Sequence, residues 1–392
     1  MNRPLISIYM TIVLDAMGIG IIFPILPSLL KDISHTDNVS LFIGLITVLY
    51  AIMQFLFAPL LGALSDRLGR KPVLLLSMGG AVISYLLLSV ATTLSLLILG
   101  RIIAGITGAS LSVAMAYMTD ISSAEQRPRR FGLFNAMFGI GFIIGPVIGG
   151  LLSDYWVRLP FIAALLLNGC NFLLTLFVLP EPHAKQNHRV DLSELNPLHF
   201  FHSLSTKNGL FPIVIIFFIL SFAGEAYGIC WAMWGQDAFE WNGFMVGLSL
   251  GIFGLFQALV QAFLPGPVVR VFGEKGTILS GILCLCAALS AMAFATEGWV
   301  IFLIMPLFAI GGIGTPALQS LATNQVDPDM QGRFQGLLSS TISFASIIAP
   351  IFFSGFYFAF RNDWPGAVWL IAAIVNVVAI PLVFHAVKFD KK

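Results

Sequence analysis

Three residues place a formal charge well inside an apolar run of this 392-residue chain: Asp15, Arg101 and Glu225. On membrane-insertion scales such a group costs about 2.5–3.5 kcal/mol at the centre of a spanning helix, so function is its default explanation. A carboxylic acid whose access to water alternates between two sides takes up a proton on one and releases it on the other. Asp15 and Glu225 are the candidates for that chemistry. A cationic substrate and a proton competing for one carboxylate is exchange in its simplest form. Moving one charge through 100 mV yields about 2.3 kcal/mol, enough to drive a substrate uphill. The structural alternative is a carboxylate neutralised by Arg101, or one hydrogen-bonded across helices.

The elements that must position these groups follow from composition. The chain is 58% hydrophobic and 10% charged, with a mean hydropathy of +0.94, against roughly 25% charged residues in a soluble domain. Lipid is the solvent for most of it. A spanning helix needs about 20 mostly apolar residues. Twelve stretches qualify, near 5–29, 41–64, 73–91, 94–118, 131–152, 159–179, 210–235, 243–264, 276–295, 299–322, 333–359 and 365–387. A polar linker, 180–209, splits them into six and six. The expected fold is therefore all-α: an N-terminal six-helix bundle (1–179), the linker, and a C-terminal six-helix bundle (210–392).

Lysine and arginine set the orientation. The termini, the linker and the loops after even-numbered spans hold sixteen of the twenty; the opposite loops hold Lys31, Arg158 and Arg361. The positive-inside rule puts the first set, and both termini, in the cytoplasm. The halves echo each other, with Asp15 answered by Glu225 and "GALSDRLGRKP" (62–72) by "GPVVRVFGEKG" (266–276). Paired repeats with a site between them near the midplane are a transporter architecture. Cys170, Cys230, Cys284 and Cys286 lie in apolar runs without zinc or redox spacing, and read as packing residues. The first apolar run lacks a small-residue cleavage site, so no removable leader is expected.

"GALSDRLGRKP" resembles the loop 2–3 signature of the major facilitator superfamily, and "RIIAGITGAS" (101–110) its span 4 motif. "GIGFIIGPVIGG" (139–150) resembles the span 5 signature of the superfamily's drug/proton antiporters. More closely, "LDAMGIGIIFPILP" (14–27), "YAIMQFLFAPLLGALSDRLGRKPVLL" (50–75) and "GGIGTPALQSL" (311–321) are similar to bacterial tetracycline efflux proteins. The resemblance implies a twelve-helix alternating-access antiporter of a bacterial inner membrane. It further implies that Arg101 steers protonation and that Asp66 pairs with Arg127 in a cytoplasmic gate. Gly62, Arg67, Gly69, Arg70 and Asp120 belong to the same expected gate; Gly62 and Gly69 would permit close approach and a tight turn. Arg67 is equally explained as a topology anchor. Tyr50, Gln54, Trp231, Trp234, Gln257, Gln261 and Gln319 are the expected cavity lining, although a buried amide also serves as an interhelical bond. Gly139, Gly141, Gly145 and Gly149 should pack helices closely, with Pro146 bending span 5.

The chain departs from the tetracycline exporters at their charged positions. Ser84 and Leu285 stand where those proteins carry acids, Gln257 where they carry histidine, and Glu225 where they carry an uncharged glutamine. A metal–tetracycline chelate would depend on the missing groups. The expected function is secondary active transport: proton-coupled export of a lipophilic or amphipathic small molecule. An importer or metabolite exporter uses the same machine; for the distant alternative, a membrane enzyme or receptor, the sequence offers no HExxH, nucleophile motif or soluble signalling domain. The expected partners are a small-molecule substrate, protons and the lipid bilayer, with no nucleic acid, cofactor or metal and a monomer as the working unit.

Overall fold

A computed structural model describes residues 3–22, 24–36, 39–108, 110–122, 127–182, 211–324 and 331–386. Lipid offers backbone N–H and C=O groups no partners, so a spanning segment must satisfy them internally. Every regular element among the described residues is accordingly an α-helix. Twelve are long and apolar enough to cross a membrane: span 1 Leu5–Ile22, span 2 Ser40–Ala58, span 3 Arg70–Val90, span 4 Leu94–Asp120, span 5 Ala136–Ser153 and span 6 Leu159–Val178, then span 7 Phe211–Phe239, span 8 Gly243–Phe263, span 9 Pro265–Ala293, span 10 Gly298–Leu321, span 11 Thr341–Phe360 and span 12 Ala367–Phe384. The linker beyond residue 182 lies outside the described residues.

The chain falls into two compact units. One is Met1–Leu195 with Asn242–Gly254; the other is Asn196–Trp241 with Leu255–Lys392. In the first, span 1 packs on spans 5 and 6, and span 3 on spans 4 and 6. Its core gathers Ile8, Ile12, Met78, Tyr117 and Phe134. In the second, span 7 packs on spans 11 and 12, and span 9 on spans 10 and 12, around Ile213, Ile278, Leu318 and Val383. One end of that unit is pinned by Asp237 of span 7, which accepts hydrogen bonds from Tyr357 and Arg361, both at 2.7 Å.

Small residues set the closest approach in the first unit. A side chain at Gly141, Gly145 or Gly149 would meet the carbonyl of Val13, Met17 or Ile21 at 2.5–2.6 Å, so span 5 lies directly on the backbone of span 1. Pro146 fits against Gly20 in the same seam. Such close backbone approach is what small residues provide inside a bilayer. Gly139 has open space beside it and takes no part.

The helices differ from the sequence expectation in three places. Span 1 ends at Ile22, not near residue 29, and a separate helix covers Leu26–Ser34. Pro24 has no N–H to continue the first helix, while Pro27 suits the first turn of the second. Span 9 reaches back to Pro265, with Gly273 at φ +68° interrupting its helical path.

The third difference is the most consequential. Span 4 is two helices, Leu94–Ile106 and Ser110–Asp120, and span 10 is two helices, Gly298–Gly311 and Gly314–Asn324. The breaks fall at Thr107–Gly108 and Gly312–Ile313, corresponding positions of the two halves. Each contains glycine, whose lack of a side chain lowers the cost of leaving the helix.

Overpacking the span 1–span 5 seam should be costly. Gly145→Val is expected to lose about 1–3 kcal/mol of stability, read as a lower unfolding midpoint in detergent, whereas Gly139→Ala should leave the midpoint unchanged.

Candidate functional site

A helix broken inside a membrane leaves backbone carbonyls without helical partners, and protein must supply donors. Here two glutamines do so. Gln54 of span 2 donates Nε2–H to the Gly108 carbonyl at 3.0 Å, and Gln261 of span 8 donates to the Gly312 carbonyl at 3.0 Å. The same side chain, on corresponding spans, bonds the glycine of the corresponding break. Both are expected cavity residues, and each commits one amide N–H to holding a break. Gln257 lies against Gly312, within 2.6 Å of where a side chain would begin. Gln319 follows the break on the second half of span 10.

The break in span 4 also positions the first carboxyl group. Ser110 opens the second half-helix and donates its hydroxyl to Asp15 Oδ2 at 2.6 Å. Asp15 is 7% exposed. Arg101 lies on the half-helix before the break, yet among the described residues it forms no ion pair with Asp15. Its Nε and Nη2 are buried and have no hydrogen-bond partner. Tyr50 of span 2 and Tyr85 of span 3 are close enough to interact electrostatically with both charges. Asp15, Tyr50, Arg101 and Gln54 thus gather around one break, together with Tyr85 and Ser110, which the sequence reading did not single out.

Glu225 occupies the second unit. Its Oε1 accepts a 2.5 Å hydrogen bond from Ser346 of span 11, which also bonds back to Ile342 at 3.1 Å. Trp231 and Trp234, six and nine residues further along span 7, are each 1% exposed. They pack on one another at 5.5 Å and on Trp369 of span 12 at 5.8 and 5.1 Å. Their bulk fills the space between spans 7 and 12, so they are wall and not surface. Tyr227, nearer Glu225, packs at a tilt against Trp231, with ring centroids 4.8 Å apart.

At the loop 2–3 end, the Asp66 and Arg127 side chains lie outside the described residues, and with them the expected pair. Arg70 is described: Nε donates to Asp120 Oδ2 at 2.8 Å and Nη1 to Ser65 at 2.7 Å. Glu181, just past span 6, accepts the backbone N–H groups of Arg70 and Lys71 at 2.9 and 2.8 Å. A carboxylate at a helix N-terminus satisfies orphan donors and complements the dipole. Gly69 carries the turn at φ +106°, and its missing side chain makes room for the Glu181 carboxylate. Gly62 sits within a helix with nothing inside 4 Å, so no close approach requires glycine there. Arg67 is exposed. Among the described residues, no cluster of His, Cys, Asp and Glu is placed to hold a metal ion.

The glutamine bonds to the breaks can be tested singly. Gln54→Leu would leave the Gly108 carbonyl without its donor and is expected to cost about 1–3 kcal/mol in unfolding stability. Gln261→Leu should behave alike at Gly312. Unchanged midpoints would mean that the breaks do not depend on these amides.

Comparison with known proteins places this architecture. The chain matches the Major Facilitator Superfamily over residues 8–234 and 213–392. It is 44% identical to the class C tetracycline resistance protein of Escherichia coli, covering 97% of this chain and 96% of that one. It is 27% identical to the quinolone resistance protein NorA of Staphylococcus aureus (strain COL), covering 90% and 89%. Among solved structures, the nucleoside transporter NupG superposes with a TM-score of 0.79 over the full length of both chains at 19% identity, which speaks for the fold alone. Twelve spans, paired breaks and full-length sequence matches agree: this chain is an integral multi-pass membrane protein and belongs to the Major Facilitator Superfamily, a family of transporters and not of enzymes.

Proposed function

We propose that this chain exports amphipathic small molecules from the cytoplasm in exchange for protons, by alternating access. The observation that carries the reading is the company kept by the two intramembrane carboxyl groups. Among the described residues, Asp15 and Glu225 are each held by a serine hydroxyl and not by a cation. A hydroxyl donates to a carboxylate and accepts from a carboxylic acid, so one partner serves both protonation states. An arginine in its place would favour the ionised form alone. Each carboxyl group can therefore gain and lose a proton without its surroundings being rebuilt.

Relatives named for tetracycline and quinolone resistance support drug efflux as the direction. The cargo differs from a metal–tetracycline chelate in what the site offers it. Leu285 packs against Gly311 where the tetracycline exporters carry an acid, and Ser84, in the place of another, is buried. The lysine and arginine distribution supports cytoplasmic termini, and the relatives support the bacterial inner membrane. Arg70 with Asp120, Glu181 and the turn at Gly69 form the part of the loop 2–3 latch that would close the cytoplasmic side. Protons are the coupling ion and a monomer the working unit in this reading.

The test is uptake into inverted membrane vesicles energised to an acidic interior, where export from the cell becomes accumulation. Tetracycline and a fluorescent quinolone serve as probes. Accumulation of either by wild type, abolished by an ionophore that collapses the pH gradient, is the expected result. Accumulation that survives collapse would reject proton exchange, and proton-driven loss of preloaded probe would identify an importer.

A further inference from the structure

The Arg101 guanidinium is the polar group that the proton chemistry leaves unexplained. Its Nε and Nη2 are buried with no hydrogen-bond partner, and it makes no ion pair among the described residues. Hydrogen-bonded, paired charges are the rule in protein interiors, because an isolated one forfeits its hydration without return. Tyr50 and Tyr85 are close enough to interact with it electrostatically, and neither hydroxyl is hydrogen-bonded among the described residues. Gly18 of span 1 leaves room for the Asn168 amide of span 6, and a side chain there would also begin 3.1 Å from the Tyr85 hydroxyl. A planar fork of unpartnered donors, with two further hydroxyl donors in its neighbourhood, matches an anionic oxygen pair such as a carboxylate or enolate.

Charge bookkeeping narrows the cargo further. An anion on Arg101 would be repelled by an ionised Asp15 and favoured by a protonated one. Anion and proton would then travel together, which is the opposite of exchange. A cargo that also carries a cationic nitrogen removes the conflict, since its nitrogen competes with the proton for Asp15 while its oxygens remain on Arg101.

We propose that Arg101, with the Tyr50 and Tyr85 hydroxyls, is the docking point for the anionic oxygens of a zwitterionic cargo, whose cationic nitrogen is taken by Asp15. Arg101 then recognises cargo, where the family resemblance implied only the steering of protons. The proposal rests on the export reading, because the sign argument assumes exchange. All residues involved lie on spans 1 to 4 of the first unit, so the docking point is built before the second half contributes.

The experiment is equilibrium binding to the purified full-length protein in detergent, with no pH gradient. Three probes share one scaffold: a piperazinyl quinolone acid (zwitterion), its ethyl ester (cation only) and its N-acetyl derivative (anion only). Wild type should bind the zwitterion at least about tenfold more tightly than either derivative. Arg101→Gln should lower zwitterion affinity to that of the ester and leave ester affinity unchanged, which also certifies that the variant is folded. Arg101→Lys, which keeps the charge but loses the fork, should fall between. Equal affinities of wild type for acid and ester, or binding of neither, would overturn the proposal. So would an Arg101→Gln variant that weakens both probes by the same factor, since that marks a structural role. Binding without a gradient is independent of proton exchange, so failure here leaves the vesicle result standing, and failure of vesicle accumulation leaves this readout intact.

Discussion

Hydrocarbon supplies no hydrogen bonds, and the structure is organised by that deficit. It makes every spanning segment a helix, and it makes each interruption a position where protein must replace the missing partner. The interruptions in spans 4 and 10 are met by Gln54 and Gln261, each donating to a glycine carbonyl at 3.0 Å. What surrounds the span 4 break inherits its geometry: Ser110 is aimed at Asp15 because it begins the second half-helix there. Thr107, at the same break, packs into the space left open at Gly80 of span 3. The polar chemistry of the first unit is built outward from one broken helix.

The two halves share this scaffold but not its use. Gln54 and Gln261 repeat the same bond to the same kind of break. The carboxyl groups do not repeat in that way: Asp15 is held from span 4, whereas Glu225 is held from span 11. Loops 2–3 and 8–9 diverge similarly. Gly69 and Gly273 both turn the chain at positive φ, but Arg70 is followed into an ion pair with Asp120 while Glu274, at the corresponding position, bonds Ser320. A duplicated fold has kept its mechanical joints and varied the charges placed on them.

Much of this was legible in the sequence, and what was not has physical reasons. The span count and the positions of the two carboxyl groups within spans were readable because a charge in lipid is conspicuous. Span 1 was drawn too long because Phe23 to Pro27 is as apolar as the helix before it; only the prolines signal the stop. The breaks in spans 4 and 10 were hidden in the same way, since hydropathy runs unbroken through "AGITGAS" (104–110) and "IGGIGTP" (310–316). Their glycine density was the available signal. Gln54 and Gln261 were correctly singled out as intramembrane amides, but an amide facing a ligand and one facing a carbonyl look alike in one dimension. Ser110 and Ser346 could not be chosen among many hydroxyls, because which one meets a carboxyl group depends on helix rotation. For Trp231 and Trp234, the deciding residue is Trp369, more than a hundred positions away.

The central claim is that cargo and protons exchange on these carboxyl groups. It is tested most directly by following the pH inside sealed proteoliposomes with a trapped dye as cargo is added, for wild type, Asp15→Asn and Glu225→Gln. Cargo-triggered proton movement in wild type that is lost in at least one variant is the predicted result and names the carboxyl group on which cargo and proton exchange. Proton movement unchanged when both carboxyl groups are neutralised together would contradict it, and would leave Asp15 and Glu225 as structural hydrogen-bond acceptors.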